Sequence, residues 1–303
     1  MKHGRRPLPA SPDGVSVVPT LLHLSDLHFG RPFLPDVAEA VLAQSRKLRP
    51  DVVVVSGDLT QRARAEQFRQ AAGYLARFEV PVVVTPGNHD VPFYRFWERF
   101  LAPYRHYRCY ISADVNTVTE VAGLVIVALN SSRRLTLTNG RIRRSQLDFA
   151  SRAFEAAAAG AVRVVVTHHH LAPPPDFEGG NVMPFARRAL KRFTGLDVDL
   201  ILAGHMHRAY IGSSLDFFPG ELQRRGIVIV QCGTTTSSRG RGRERSRNTF
   251  NLVRVEETSI QVAHHVWVAE MSKFMPISEH RFPRGARQYL DGASVPVRSR
   301  AEV

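Results

Sequence analysis

Five runs of apolar, mostly β-branched residues, each ending in a short polar motif, are the feature that most limits how this chain can fold. Runs of this composition predict β-strands, and open α/β sheets hold their ligands at the carboxyl ends of the strands. We therefore expect the five motifs to lie close together in space. They are Ser25-Asp26-Leu27-His28, Gly57-Asp58-Leu59-Thr60, Gly87-Asn88-His89-Asp90, Thr167-His168-His169-His170 and Gly204-His205-Met206-His207.

Segments with helical periodicity separate these runs. Pro35 to Leu48 and Arg62 to Phe78 carry apolar residues at spacings of three and four, which predicts amphipathic helices. Strands that alternate with such helices predict βαβ units and a largely parallel sheet. Farther along, Val118–Val121 and Leu124–Leu129 flank Gly123 and predict a hairpin that begins a second sheet.

Length and composition are those of a folded protein with one main domain. Of 303 residues, 44% are hydrophobic and 22% are charged, which is enough to bury a substantial core. We expect a flexible N-terminal segment at 1–18 and a catalytic domain at 19–270. The stretch 271–303 contains scattered charges and several prolines, which predicts a poorly packed tail or an interaction segment.

The net charge of +14 arises from 41 basic against 27 acidic residues. A basic surface attracts phosphate-bearing partners, although an arginine-rich composition can also reflect the source genome. The two cysteines, Cys109 and Cys232, suggest neither a disulfide framework nor a thiolate zinc site. No signal-peptide core and no membrane-spanning run is visible, so we expect a cytoplasmic protein without membrane insertion.

The mixture of Asp, His and Asn in the five motifs suits hydrolysis at two metal ions. Cleavage of a phosphoester needs a nucleophile at neutral pH and positive charge on the phosphoryl oxygens, and two cations about 3.5–4 Å apart supply both. Asp26 and His28 are two residues apart, so on an extended segment their side chains point the same way, and His205 and His207 repeat that spacing. The sequence therefore predicts a two-metal site.

The order of the motifs, from Asp-x-His through Gly-Asp, Gly-Asn-His-Asp and His-His to Gly-His-x-His, resembles the calcineurin-like metallophosphoesterase superfamily over roughly residues 20–210. The resemblance implies an α/β fold that is a four-layer α/β/β/α sandwich with two mixed β-sheets. It implies two divalent or mixed-valence metal ions, with manganese, iron or zinc favoured. The implied ligands are Asp26, His28 and His207 at the first metal, Asp58 as the bridge, and Asn88, His168 and His205 at the second.

In such a site a hydroxide between the ions attacks phosphorus. The resemblance gives His89 the role of the histidine that stabilises the transition state or protonates the leaving oxygen. Asp90 adjoins it, and we expect Asp90 to accept a hydrogen bond from a neighbouring histidine and fix its tautomer. Related sequences often have His-His-Pro where this chain has three histidines, and we favour His168 over His169 because it follows the strand directly. His170 has no assigned role.

The arginine run and a group of aromatic residues each have both a functional and a structural interpretation. The arginine run 239–247 is either a solvated loop or a basic clamp that holds a substrate phosphate. The aromatic residues between Phe93 and Tyr110 fit core or lid packing better than base stacking.

We expect a metallophosphoesterase that acts on phosphomonoesters or phosphodiesters. A phosphodiesterase for nucleotide-like or nucleic-acid substrates ranks first because the chain is basic. The alternative within enzymes is a phosphomonoesterase or pyrophosphohydrolase acting on a small-molecule or lipid-linked substrate. An alternative of another class is a non-catalytic scaffold of the same fold, but every ligand position and His89 are present, which argues against it. The oligomeric state is not predicted.

Overall fold

The computed structural model describes residues 18–136, 138–173, 182–216 and 226–284. Two mixed six-stranded β-sheets form its centre, and helices pack on the outer face of each. The first sheet contains β1 (Thr20–Leu24), β2 (Val52–Val55), β3 (Val82–Val84), β10 (Thr249–Val255), β11 (Ser259–Val268) and β12 (Lys273–Pro283). The second contains β4 (Thr117–Val121), β5 (Leu124–Ala128), β6 (Val162–Val166), β7 (Leu200–Ala203), β8 (Tyr210–Ser213) and β9 (Val228–Gln231).

Six α-helices lie within the described residues. They are α1 (Pro35–Leu48), α2 (Ala65–Leu75), α3 (Phe96–Leu101), α4 (Arg105–Tyr110), α5 (Arg144–Ala156) and α6 (Ala186–Gly195). Helices α1 and α2 bury their apolar faces against the first sheet, and α5 and α6 do the same against the second. The four-layer α/β/β/α sandwich predicted from the sequence is thus confirmed.

Strand order explains how distant segments reach one edge of the molecule. The first sheet has the order β12-β11-β10-β1-β2-β3, in which β1, β2 and β3 are parallel. The second has the order β4-β5-β6-β7-β9-β8, in which β5, β6, β7 and β9 are parallel. Parallel neighbours end at the same edge of a sheet, so the motifs after β1, β2 and β3 are adjacent, as are those after β6 and β7.

An apolar core between the sheets holds the two halves of the site together. It contains fully buried valines, leucines and isoleucines from both sheets, among them Val54 of β2, Ile126 of β5 and Leu202 of β7. Each such side chain stabilises the fold by roughly 1.5–3 kcal/mol through burial. The relative position of the two sheets, and with it that of their loops, therefore rests on a dry interface.

The C-terminal prediction needs correction. Residues 273–283, which we expected in a poorly packed tail, form β12 and pair with β11 along its whole length. The proline content misled the prediction, because proline is tolerated on an edge strand and the pairing shifts register opposite Pro276. Residues 285–303 lie outside the described part of the chain, as does 1–17 of the expected flexible N-terminal segment.

Helix α4 and strand β8 were not predicted. Both are short, at six and four residues, so periodicity gives little signal for either. Among the described residues, no helix is long and apolar enough to cross a membrane. Cys109 is exposed and Cys232 is buried, and neither forms a disulfide; the cytoplasmic location stays a prediction.

Candidate metal centre

The backbone turns sharply where the strands deliver their polar side chains. Asp26, His28, Asp58, His205 and His207 all have positive φ angles, between 51° and 75°. Residues other than glycine adopt this left-handed region at a cost of about 1–3 kcal/mol each, and such residues cluster at functional sites. The prediction of extended backbone at Asp26 and His28, and at His205 and His207, is therefore wrong. Tight turns bring these side chains together instead.

Hydrogen bonds between loops fix the first two turns against each other. The amide of Asp26 donates to the carbonyl of Gly57 at 3.0 Å, and the amide of His28 donates to the carbonyl of Asp58 at 2.9 Å. Threonines that follow β9 add to this, because the Thr234 and Thr236 hydroxyls donate to carbonyls of the first loop. No role was predicted for these threonines, although their position within a few residues of the end of β9 could have indicated one.

Four of the predicted ligands form one buried cluster. His28 Nε2 lies 3.6 Å from Asp26 Oδ1 and 3.6 Å from Asp58 Oδ2, and His207 Nε2 lies 3.6 Å from Asp26 Oδ1. One ligand atom from each of these four residues lies within 4.8 Å of the other three. Asp26 Oδ1, Asp58 Oδ2 and His28 Nε2 are buried and have no hydrogen-bond partner in the part of the chain that the structure describes. Unpaired buried donors and acceptors are costly, so this donor set fits a cation.

A second group adjoins the first. Asn88 Oδ1 lies 3.0 Å from His168 Nε2 and 3.0 Å from His205 Nδ1. His168 Nε2 is also 3.4 Å from Asp58 Oδ1. Asp58 thus presents its two carboxylate oxygens to different groups, and all seven predicted ligands come together. The chemistry of one amide, one carboxylate and two imidazoles also suits a divalent cation.

Hydrogen bonds to backbone carbonyls set the tautomers of two histidines. A carbonyl only accepts, so His168 Nδ1 donates to the carbonyl of Ser56 at 2.8 Å, and Nε2 is the atom directed at Asn88 and Asp58. In the same way His89 Nδ1 donates to the carbonyl of Gln61 at 3.0 Å. Fixed ring orientation of this kind is what metal-binding and catalytic histidines require.

Burial and mutual charge set the ionisation of the group. Burial opposes ionisation of Asp26 and Asp58, but the surrounding histidines outweigh burial and hold both carboxyl pKa values below their usual range. Burial lowers the pKa of His205 and of His207 to about 3, so these imidazoles are neutral at neutral pH and can each offer a lone pair. His168 differs, because Asp58 outweighs burial and raises its pKa to about 9.

Within the described residues, Asp90 accepts no hydrogen bond from a histidine, so that expectation is wrong. Its carboxylate accepts the amides of Gly87 at 2.9 Å, Leu59 at 3.1 Å and Thr60 at 2.8 Å. Burial and Asp58 raise the pKa of Asp90 to about 6, whereas the amides lower it. Asp90 therefore ties the loop after β2 to the loop after β3, and it positions Asp58 through the backbone.

The other two histidines of the triplet contact Ser131 and His205. His169 Nδ1 lies 2.8 Å from Ser131 Oγ, whose hydroxyl also accepts the His169 amide at 3.1 Å. The ring of His170 stacks on that of His205 with centroids 6.0 Å apart, and among the described residues neither of its ring nitrogens has a hydrogen-bond partner. Burial lowers the pKa of His170 to about 4.

His89 stands at the edge of the cluster. Its ring meets that of His28 edge to face at 4.8 Å, and its amide donates to Asp58 Oδ1 at 2.8 Å. Together with Asn88 it lines a cavity of about 250 Å³, which Tyr94 and Arg239 also line. Of the arginine run, Arg239 is half-buried here, whereas residues 241, 245 and 247 are exposed.

The aromatic residues after His89 divide into two sets. Tyr107 is fully buried in the core beside the first sheet, as packing predicts. Phe93, Tyr94, Phe96 and Trp97 are exposed, and Phe93 and Tyr94 line the cavity beside His89. Core packing is thus confirmed for Tyr107, whereas for the exposed set the choice between lid packing and base stacking stays a prediction.

Comparison with known proteins gives one family match. The model of the family described as calcineurin-like phosphoesterase matches residues 19–209 of this chain. Among curated proteins, a glycerophosphodiester phosphodiesterase, GpdQ of Enterobacter lignolyticus (strain SCF1), is 38% identical over 81 residues, with 23% of this chain and 29% of the relative covered.

Two solved structures share the fold. A purple acid phosphatase, PPD1 from yellow lupin (Lupinus luteus) seeds, superposes with a TM-score of 0.68 at 14% identity, covering 98% of this chain and 58% of the other. A dimetal phosphatase from Danio rerio superposes with a TM-score of 0.61 at 13% identity, covering 88% of this chain and 99% of the other. The chain thus spans less than two thirds of the length of the GpdQ and PPD1 chains.

Proposed function

Because this chain belongs to the calcineurin-like phosphoesterase family, we propose that it hydrolyses phosphoesters with two metal ions bound at the cluster around Asp58. The observation that carries the proposal is the carboxylate of Asp58, whose Oδ2 lies beside His28 and whose Oδ1 lies beside His168. A carboxylate shared in this way suits two adjacent cations.

Each proposed ligand set follows from the contacts. Asp26, His28, Asp58 and His207 would hold the first ion, and their unpaired buried atoms support this. Asp58, Asn88, His168 and His205 would hold the second. Bound divalent cations activate water at neutral pH and neutralise charge on phosphoryl oxygens. Manganese, iron or zinc would match the oxygen and imidazole donors.

His89 would handle the proton of the leaving group. Its Nδ1 proton is committed to the Gln61 carbonyl, so Nε2 is the ring atom that can gain and release a proton. The ring lines the cavity beside the cluster, which gives it access to a bound substrate. In the protonated state Nε2 would donate to the leaving oxygen or stabilise charge on it.

Among phosphoesters we favour phosphodiesters of nucleotide-like or nucleic-acid character. Arg62, Arg239 and Tyr94 line the cavity next to His89, which supports an anionic substrate with a planar group. The local likeness to a protein named as a glycerophosphodiester phosphodiesterase agrees with diester cleavage.

Replacement of Asp58 tests the central assignment. Asp58→Asn keeps the shape but removes the charge, so we expect loss of bound metal and a fall in kcat/KM of at least about 100-fold, since even outer partners of metal ligands are worth 10–100-fold. The measurement is metal content by mass spectrometry together with hydrolysis of bis(p-nitrophenyl) phosphate in added Mn²⁺. Asp114→Asn is the matched control, because Asp114 is exposed. Full metal content and full activity in Asp58→Asn would contradict the proposal.

A substrate panel tests the preference for diesters. The wild-type protein is assayed with p-nitrophenyl phosphate, bis(p-nitrophenyl) phosphate, a dinucleotide and a nucleoside diphosphate, each with added Mn²⁺. We expect the highest kcat/KM with a diester. Activity confined to monoesters, or to the pyrophosphate bond, would overturn the preference while leaving phosphoester hydrolysis in place.

A further inference from the structure

A larger cavity adjoins the one beside His89 and shares part of its lining. The inner cavity of about 250 Å³ and the outer cavity of about 910 Å³ share four lining residues. These four are Gln61, Arg62, Tyr94 and Arg239. The two cavities thus form one groove, which we call the arginine groove, running from Asn88 and His89 to Arg31 and Arg64.

The lining of the arginine groove is strongly basic. Its described lining residues include Arg31, Arg62, Arg64, Arg95 and Arg239, and none of them is an aspartate or glutamate. Arg95 has structural partners, because its Nε lies 2.8 Å from Glu98 and its terminal nitrogens donate to the carbonyls of Arg62 and Ala63. The other four form no ion pair within the described residues. A groove with this charge favours an anion over any neutral group.

Two of these arginines are held in place by uncharged neighbours. Arg239 Nη1 donates to Gln61 Oε1 at 3.0 Å, and the guanidinium of Arg62 lies 4.7 Å from the centre of the Tyr94 ring. Such contacts orient a guanidinium without neutralising it, so its remaining N–H groups can bind phosphate oxygens in a bidentate manner. Gln61 also orients His89 through its carbonyl, which ties the position of Arg239 to that of the proposed proton donor.

We propose that the arginine groove binds a second phosphate of the substrate, next to the phosphate that is cleaved. The inference rests on the proposed function, because the cluster around Asp58 must take the scissile phosphate first. Arg239 and Arg62 are the specificity-determining residues, and Arg31 and Arg64 extend the positive surface outward. The substrate class is therefore a phosphodiester with an adjacent phosphate, as in a nucleic-acid strand or a short phosphorylated nucleotide.

Matched dinucleotides test the second phosphate directly. Thymidylyl-thymidine is compared with its 5′-phosphorylated and 3′-phosphorylated forms, which contain the same internal diester. We expect one phosphorylated form to show a kcat/KM roughly 10- to 100-fold higher, the range given by one or two charge-assisted hydrogen bonds. Equal values for all three dinucleotides would overturn the proposal.

Substitutions of single arginines distinguish a specific phosphate subsite from general electrostatic attraction. Arg239→Gln and Arg62→Gln should each lower the preference for the phosphorylated dinucleotide at least about threefold more than Arg247→Gln does, since Arg247 lies outside the lining of the groove. Arg239→Lys should recover part of the preference. A preference that is unchanged in both glutamine variants, or that falls equally in Arg247→Gln, contradicts the assignment. Arg62 is exposed, so its variant tests the proposal even if Arg239→Gln does not fold.

Two further measurements identify the source of the phosphate and separate this inference from the proposed function. If a longer oligothymidylate is cleaved faster per bond than the phosphorylated dinucleotide, the natural ligand is a strand; otherwise it is a short nucleotide, and both results retain the second phosphate. Calorimetric binding to the metal-loaded protein compares the three dinucleotides without hydrolysis, with the internal diester replaced in each by a non-hydrolysable analogue. Absence of metal-dependent hydrolysis refutes the proposed function, whereas equal affinities for the three dinucleotides refute the arginine groove as a phosphate subsite.

Discussion

Gly87 lies so close to Asp58 that no side chain fits between them. A Cβ atom added at Gly87 would overlap the amide nitrogen and Oδ1 of Asp58 and would lie 2.8 Å from its Cγ. The φ angle of Gly87 is not positive, so the requirement for glycine here is steric and not conformational. The position of the shared carboxylate therefore depends on a missing side chain in the neighbouring loop.

Gly87→Ala should lower kcat/KM by about 100-fold without preventing folding. The added methyl group must displace Asp58, and a misplacement of about 1 Å in a catalytic group can cost 100-fold in rate. Gly73→Ala is the matched control, because nothing lies within 4 Å of a Cβ added at Gly73 in α2, and alanine favours a helix by about 1 kcal/mol. The measurements are kcat/KM and thermal unfolding. Retention of wild-type activity in Gly87→Ala would show that the Asp58 loop moves freely.

Asp90→Asn should lower the free energy of unfolding by about 2–4 kcal/mol. The carboxylate accepts three amides and the Thr60 hydroxyl, and an asparagine places an NH₂ group against donors that then lose their acceptor. The measurement is urea unfolding, with Asp114→Asn as the exposed control. A loss below 1 kcal/mol would mean that the loops after β2 and β3 stay together without Asp90.

The variants His168→Ala and His169→Ala should differ in the amount of metal that they bind. His168 Nε2 faces Asp58 and Asn88, whereas the Nδ1 of His169 contacts Ser131 Oγ. We expect about half of the bound metal to be lost in His168→Ala, and close to the wild-type content in His169→Ala. Both residues are buried, so the pair controls for packing loss. The opposite pattern would transfer the ligand role to His169.

Phe274→Ala should destabilise the protein by about 3–5 kcal/mol, the usual cost of removing a buried aromatic side chain. Phe274 is 2% exposed, and its ring lies 4.7 Å from that of Phe250 and 5.5 Å from that of Trp267. Ile277→Ala on the same strand is the control, since Ile277 is 57% exposed and its removal should cost less than about 1 kcal/mol. Equal effects in chemical unfolding would indicate that β12 does not dock as described.

Periodicity predicted the main elements well because their apolar residues face one core. Helix Pro35–Leu48 begins and ends where the pattern predicts, and strand Leu124–Ala128 is one residue shorter than the predicted run. Strand β12 was not predicted from the sequence because most of its side chains are exposed. Its sequence therefore lacks the alternation of apolar and polar residues that marks a half-buried strand. Its position comes from pairing with β11, which a local pattern does not encode.

The candidate site also has residues that the sequence predicted and contacts that it did not. Residue types and their order carried the family resemblance, and that resemblance implied the seven candidate ligands and the role of His89. The partners of Asp90, the contact of His169 with Ser131 and the approach of Gly87 to Asp58 join separate loops. Spacing along the chain does not report such contacts.

The sequence alone determined the strand-and-helix order and the donor chemistry at the strand ends, because both are written in local composition. Only the tertiary structure decided which arginine of the run is half-buried beside the cluster and which oxygen of Asp58 faces which histidines. Arg239 reaches Gln61 across 178 positions of sequence, and His205 reaches Asp26 across 179. Those contacts exist because two sheets pack through a common apolar core, which brings the loops of both to one edge of the molecule.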